Sequence, residues 1–218
     1  AFSSIKKTKV KQVVIIGGGP SLREFDFKFL NNKFTIGLNY ACRFHEPTAI
    51  VWVDKTFYSE EQKYLLQSKA VLIARDSCHT PSNVIKLPDS RHKYYGLTGL
   101  RDGLYSSYMV GLFALSMCVA LRIEEIYLLG YDCKFFDGKS HFHDVEHRGT
   151  KSEEPYYKSI RMYDVYKNCE SKIFNVSDIS LIEVFQKISF DDFFNRVEDV
   201  DQEFARKWLV DKINEYKS

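Results

Sequence analysis

Six short apolar, β-branched runs recur along the chain: KQVVIIG (11–17), FTIGLNY (34–40), TAIVWVD (48–54), AVLIA (70–74), EEIYLLGYD (124–132) and SKIFNV (171–176). A strand with one face in water alternates apolar and polar residues, whereas these runs are apolar nearly throughout. That is the pattern of strands covered on both faces. Each is followed by a loop and a helix-like stretch, so the order predicts an α/β fold, with a Rossmann-like, mainly parallel sheet and helices on both faces. SSYMVGLFALSMCVAL (106–121) is apolar almost all round and is expected to be a helix pressed against that sheet.

With 218 residues there is room for one sizeable core, which we place in a domain over 1–188, followed by a helical appendage over 189–218. In the appendage, Phe193, Val197, Val200, Phe204, Trp208 and Ile213 recur roughly at helical spacing, and Ser189 with Asp192 three residues on resembles a capping box. Two readings stand: amphipathic helices that close the domain, or a homo-oligomer contact anchored by Phe204 and Trp208.

Thirty-one basic against 29 acidic residues leave a net charge of +2, which gives no global argument for nucleic acid or a membrane surface. No uncharged apolar run reaches the length of a membrane span, and AFSSIKKTKVK has no apolar h-region, so a cytoplasmic location is expected. Five widely spaced cysteines, never in C-x-x-C, read as reduced and mostly buried thiols.

The first run leads into GGGPSL. Gly17, Gly18 and Gly19 would let a ligand approach the backbone, Pro20 suits a first helical position, and Ser21 adds a hydroxyl; beneath a helix N-terminus this describes a phosphate cradle. The dinucleotide fingerprint fails, because Leu22 stands at its third glycine and the second run ends in Asn39 with no acid beside it. A Walker loop fails too, since no G-K-[ST] follows. A purely structural turn stays open. Asn39 and Asp54, each ending a run, are either ligand contacts or helix caps.

The run ending in Gly130 and Asp132 enters a loop holding Lys134, Asp137, His141, His143, Asp144 and His147, so three of the six histidines crowd into seven residues. His141, His143 and Asp144 suit a divalent metal, a histidine suits general acid–base work, and a solvated polar loop suits neither. Lys151, Tyr156, Tyr157, Lys158 and Arg161 follow, able to neutralise a leaving phosphate or simply to cover a helix surface.

GGGPSLREFDF, then Asn39, then ALSMCVALRIEEIYLLGYD resemble a phage and bacterial domain-of-unknown-function family related to archaeal 6-hydroxymethylpterin diphosphokinase. The bacterial lipooligosaccharide sialyltransferases share the glycine loop, the asparagine and the G-x-D strand end. GKSHFHDVEH is similar to a T-H-W-H-G-D-H segment of phage members, and the resemblance runs over roughly 11–194. It implies a nucleotide-binding transferase domain in which Gly17, Gly19, Ser21, Asn39, Gly130 and Asp132 contact the nucleotide. The chain departs at Met109, Val110 and Gly111, where sialyltransferases have T-S-G. It departs also at Lys134, where they have tyrosine, and near Glu153 and Glu154, where their catalytic histidine aligns.

Residues and resemblance together lead us to expect a glycosyltransferase using a CMP- or UDP-linked sugar. His143 or His147 would be the base, Lys134 or Tyr157 would offset phosphate charge, and Gly18 and Asp54 would complete the nucleotide site. The acceptor would be a glycan or a modified base, and a phage-encoded protein would act in host cytoplasm. An ATP-dependent pyrophosphokinase with a divalent ion, and a nucleotide-binding module without catalysis, are the alternatives.

Overall fold

The computed structural model describes residues 9–90, 103–135, 141–142 and 159–217. Among them eight strands form one sheet: β1 (Gln12–Ile16), β2 (Thr35–Leu38), β3 (Ala49–Trp52), β4 (Val71–Arg75), β5 (Ile85–Leu87), β6 (Glu125–Leu129), β7 (Lys172–Val176) and β8 (Gln186–Lys187). Their order is β5-β4-β3-β2-β1-β6-β7-β8, and every pairing is parallel. All six apolar runs are strands. The two that the runs did not announce, β5 and β8, are the short edges, where one side of each lacks a neighbour.

Burial on both faces follows the two-residue period of a strand. Val13 and Ile15 join one apolar layer, Val14 and Ile16 the other, and all four are at most 1% exposed. The first layer is covered by α2 (Val110–Ala120), whose residues from Leu112 to Ala120 are all buried, as an all-round apolar helix must be. Helix α4 (Gln202–Lys217) lies on the same layer through Ala205, Trp208, Leu209 and Ile213. The other face carries α1 (Phe57–Leu65) over Ile50 and Trp52, and α3 (Phe190–Arg196) over Tyr127 and Phe174.

Ser189 caps α3 by accepting a hydrogen bond from the Asp192 N–H at 3.1 Å. Trp208 is turned inward against Phe34, with ring centroids 6.0 Å apart, and Phe204 packs on the same layer. The apolar stripe of α4 therefore closes the sheet, and the side chains offered as oligomer anchors are used within the chain. All five cysteines are free thiols, three of them buried. No helix among the described residues is long and apolar enough to cross a membrane.

Candidate functional site

From β1 the chain winds outward through β2, β3, β4 and β5, and only then returns to the other side of β1 with β6. The direction of winding reverses between β1 and β6. Parallel sheets bind ligands in the crevice outside the carboxyl ends of strands at such a reversal. Here the lips of that crevice are the glycine loop after β1 and the Gly130–Asp132 turn after β6.

The glycines serve close approach of the chain to itself. A Cβ on Gly17 would stand 2.7 Å from the Gly130 carbonyl oxygen; on Gly19 it would stand 2.5 Å from both that oxygen and Asp132 Oδ2. Gly17 N–H donates to Leu129 O and Gly19 N–H to Gly130 O, both at 2.8 Å, while Ser21 N–H donates to Asp132 Oδ2 at 2.7 Å. Leu22 N–H turns back to Gly19 O at 3.2 Å, and Pro20 has no donor. Within 17–22 the Gly18 N–H alone has no partner among the described residues.

The helix start read at Pro20 does not continue as an α-helix. A three-residue 3₁₀ turn, Pro20–Leu22, stands there, because Ser21 is drawn down to Asp132 and Leu22 is sunk into the core at 0% exposure. No α-helix N-terminus stands behind the glycine loop, and the Gly18 N–H is the loop donor without a partner among the described residues. On the other side of the crevice, α2 starts after Met109 with no side-chain cap, and the Tyr131 hydroxyl donates to Gly111 O at 3.2 Å, tying that first turn to the β6 exit.

Asp132 is the knot of the site. Only 1% exposed, its carboxylate accepts the Ser21 N–H, the Ser21 hydroxyl at 2.8 Å and the Ser177 hydroxyl at 2.6 Å; its carbonyl accepts Leu181 N–H at 3.0 Å. It joins the turns after β1, β6 and β7. With three of about four lone-pair positions taken, little remains for an outside partner. Gly130 (φ 66°) and Cys133 (φ 51°) flank it in left-handed backbone, and burial pushes the Cys133 thiol up to about 12, which disfavours the thiolate.

Next to the glycine loop, Asn39 follows β2 with a φ of 47° and opens the 3₁₀ turn Asn39–Arg43. Its Oδ1 is buried and has no partner among the described residues. Continuing the Ile16↔Gly37 register by two residues sets Asn39 level with Gly18. Asp54 lies exposed beyond the end of β3, and Lys134 half-buried two residues past Asp132. His143, Asp144, His147 and Tyr157 lie outside the described residues, as do Asp137, Glu153 and Glu154.

His141 and Phe142 are described, and both dock on the loop. Phe142 N–H donates to Gly18 O at 2.9 Å, and its ring lies 5.4 Å from Phe27 and 4.8 Å from Phe44. A Cβ on Gly18 would meet His141 Cδ2 at 2.5 Å. The structure thus brings together Gly17, Gly18, Gly19, Ser21, Asn39, Gly130, Asp132 and His141.

Sequence reasoning missed Ser177 as the second hydroxyl on Asp132, and also Asn175 with Ser180, where Asn175 donates to Ser180 Oγ at 2.8 Å and Ser180 donates to Tyr131 O at 2.7 Å. The N-x-S spacing of Asn175 and Ser177 after the last long run was the available signal.

Six buried side-chain polar atoms lack a partner among the described residues: Asn39 Oδ1, Trp52 Nε1, Arg75 Nε, Ser77 Oγ, Thr80 Oγ1 and Asn175 Oδ1. Asn39, Trp52, Arg75 and Ser77 lie at or just past the carboxyl ends of β2, β3 and β4, Asn175 one residue short of the end of β7, and Thr80 in the β4–β5 connection. Buried polar groups are normally satisfied, and most of this unmet demand falls along one edge of the sheet.

The sheet order defines a doubly wound, all-parallel α/β domain whose winding reverses between β1 and β6. No protein-family model and no curated protein matches the chain. Among solved structures, the MAf glycosyltransferase from Magnetospirillum magneticum AMB-1 is similar at a TM-score of 0.62 and 18% identity, over 96% of this chain and 38% of that one. The chain therefore spans well under half the length of that enzyme.

The sialyltransferase CstII from Campylobacter jejuni is similar at TM-scores of 0.49, in its complex with cytidine-5'-monophosphate, and 0.45, in its complex with CMP-3FNeuAc. Those identities are 17% and 15%, over 82% and 88% of this chain and 85% and 91% of theirs. What the likeness to MAf establishes at such identity is the fold.

Proposed function

We propose that this domain is a glycosyltransferase module that holds a nucleotide-activated sugar, CMP- or UDP-linked, across the crevice between β1 and β6. The observation that carries the reading is left-handed Asn39, which follows β2 next to the switch point and has a buried Oδ1 with no partner among the described residues. A fold shared with a glycosyltransferase, and the glycine-loop and G-x-D resemblance to sialyltransferases, support it.

In this reading the unspent Gly18 N–H meets a phosphate oxygen, and Asn39 Oδ1 accepts from a ribose hydroxyl or base amine. Gly17, Gly19 and Gly130 allow the two lips to close on each other, and Asp132 holds them by its three hydrogen bonds, so its part is positioning. Asp54 lines the outer rim. The acceptor oxygen attacks the anomeric carbon while the carbon–oxygen bond to phosphate breaks and its electron pair departs with the nucleotide. His143 or His147 takes the acceptor proton, and Lys134 or Tyr157 offsets charge on the departing phosphate.

A pyrophosphokinase would call on Asp132 as a Mg²⁺ ligand, and the carboxylate is already committed to Ser21 and Ser177. Of the candidate metal set His141, His143 and Asp144, only His141 lies within the described residues.

The test is a panel of CMP- and UDP-sugars with glycan acceptors, reading thermal stabilisation and nucleotide release. A ligand at 100 times its Kd adds about 2.7 kcal/mol, a shift of several degrees. Release that depends on acceptor and is lost in His143→Ala/His147→Ala is the expected result; binding without release under every acceptor indicates the non-catalytic module, and no binding by any nucleotide contradicts the reading.

A further inference from the structure

We propose that His141, seated on Gly18, supplies the phosphate-binding side chain of the crevice, so that its imidazole and the free Gly18 N–H together hold the nucleotide's phosphate. The inference rests on the nucleotide reading above and adds a residue and a role to it.

Three observations converge. First, the glycine loop spends nearly all its donors internally: Gly17, Gly19, Ser21 and Leu22 N–H are all bonded within the chain, and the Ser21 hydroxyl is bound to Asp132. One N–H is a poor match for a phosphate, which carries up to three free oxygens, so a further donor has to come from outside the loop.

Second, the ring packed against Gly18 is that of His141. The ideal Cβ position of Gly18 lies 2.5 Å from His141 Cδ2 and 3.4 Å from Nε2, so the imidazole occupies the space that any other residue at 18 would fill. This gives Gly18 a reason different from those of its neighbours. Gly17 and Gly19 make room for backbone and for Asp132, whereas Gly18 makes room for a titratable side chain.

Third, the histidine is held in place by the residue after it. Phe142 N–H bonds Gly18 O at 2.9 Å, and the Phe142 ring is wedged between Phe27 and Phe44. A backbone bond on one side of the loop and an aromatic wedge on the other fix the approach of residue 141 to the switch point. An imidazole donates one N–H when neutral and two when protonated. When the ring is protonated, one N–H can therefore face a phosphate while the other is engaged within the chain, and a charge-assisted bond is roughly twice as strong as a neutral one.

The experiment is titration calorimetry of the full chain with two probe pairs, CMP against cytidine and UMP against uridine, in wild type, His141→Ala and Gly18→Ala. Gly18→Ala keeps both donors but pushes the ring aside with its Cβ, and it serves as the second variant should His141→Ala unfold. Expected is an affinity for the monophosphate about tenfold lower in both variants, with the nucleoside bound as in wild type. Equal losses for nucleotide and nucleoside, or an unchanged monophosphate affinity, overturn the role of His141 and leave the nucleotide reading standing. Failure of wild type to bind either monophosphate overturns both.

Discussion

The two ends of the sheet handle buried polar groups in opposite ways. At the amino-terminal edge, Thr35 and Thr48 exchange backbone N–H and hydroxyl bonds at 3.1 and 3.2 Å, and His45 Nε2 sits 3.2 Å from Thr35 Oγ. Thr48 Oγ donates to Gln202 at 2.8 Å, Gln202 donates to Lys33 O at 2.8 Å, and Lys33 Nζ reaches Val197 O and Asp199 at 2.9 and 2.8 Å. No side-chain atom of that network is among the buried ones without a partner, and the network staples the start of α4 to β2 and β3.

At the carboxyl-terminal edge, Asp132 is well satisfied, yet buried atoms such as Asn39 Oδ1, Trp52 Nε1 and Ser77 Oγ have no partner among the described residues, and Asn39 is held left-handed. One edge is built for stability. The other keeps a cost in reserve, as sites do when a ligand completes them.

Four experiments sharpen or break this contrast. The largest effect is expected at Asp132, because Asp132→Ala leaves three donors buried without an acceptor. About 4 kcal/mol should be lost in urea unfolding, with nucleotide binding abolished; a loss below about 1 kcal/mol would show that the three turns are not tied through this residue.

Next is pH. Burial lowers the His45 pKa to about 4, from about 6.5 when unfolded, so the unfolded chain binds the proton more readily and the network's stability is complete above 6.5. Between pH 6.5 and 4 the fold should lose about 3 kcal/mol from this group, and His45→Gln should flatten that slope. A slope unchanged in the variant assigns the acid sensitivity elsewhere.

A smaller effect belongs to Gln202→Ala, which strands Lys33 O and the Thr48 hydroxyl for about 1–2 kcal/mol while leaving nucleotide affinity untouched. The smallest and most telling is Asn39→Gly. Relieving a φ of 47° should raise stability by up to about 1 kcal/mol, whereas nucleotide affinity should fall. Gain in one and loss in the other would separate the two edges; loss in both would make Asn39 an ordinary cap.

Much of this was legible in the residue order. Runs such as VVII and AIVW announced parallel strands because burial on both faces leaves no polar alternation, and 106–121 announced α2 because a helix under a sheet and another helix has no wet side. β5 (IKL) and β8 (QK) did not, since short edge strands carry no such signature.

GGGPSL was legible as a place where the backbone must be bare, but the reason lay 111 residues away, in the Ser21–Asp132 bond. The same distance hid the missing helix, because local propensity at LREF says nothing of a carboxylate arriving from β6. Ser177 was hidden likewise, 45 residues beyond Asp132. His141 was visible within its histidine cluster, where spacing assigned it to a metal set, and only the fold laid its ring on Gly18.

The most direct test of the contrast is an amide chemical-shift map of the ¹⁵N-labelled chain on adding CMP. Shifts centred on Gly18, Asn39 and the Gly130–Asp132 turn, with Lys33, Thr48 and Gln202 unmoved, are expected. Shifts confined to the amino-terminal edge, or none at saturating CMP, would contradict the assignment of the crevice between β1 and β6 as a nucleotide site.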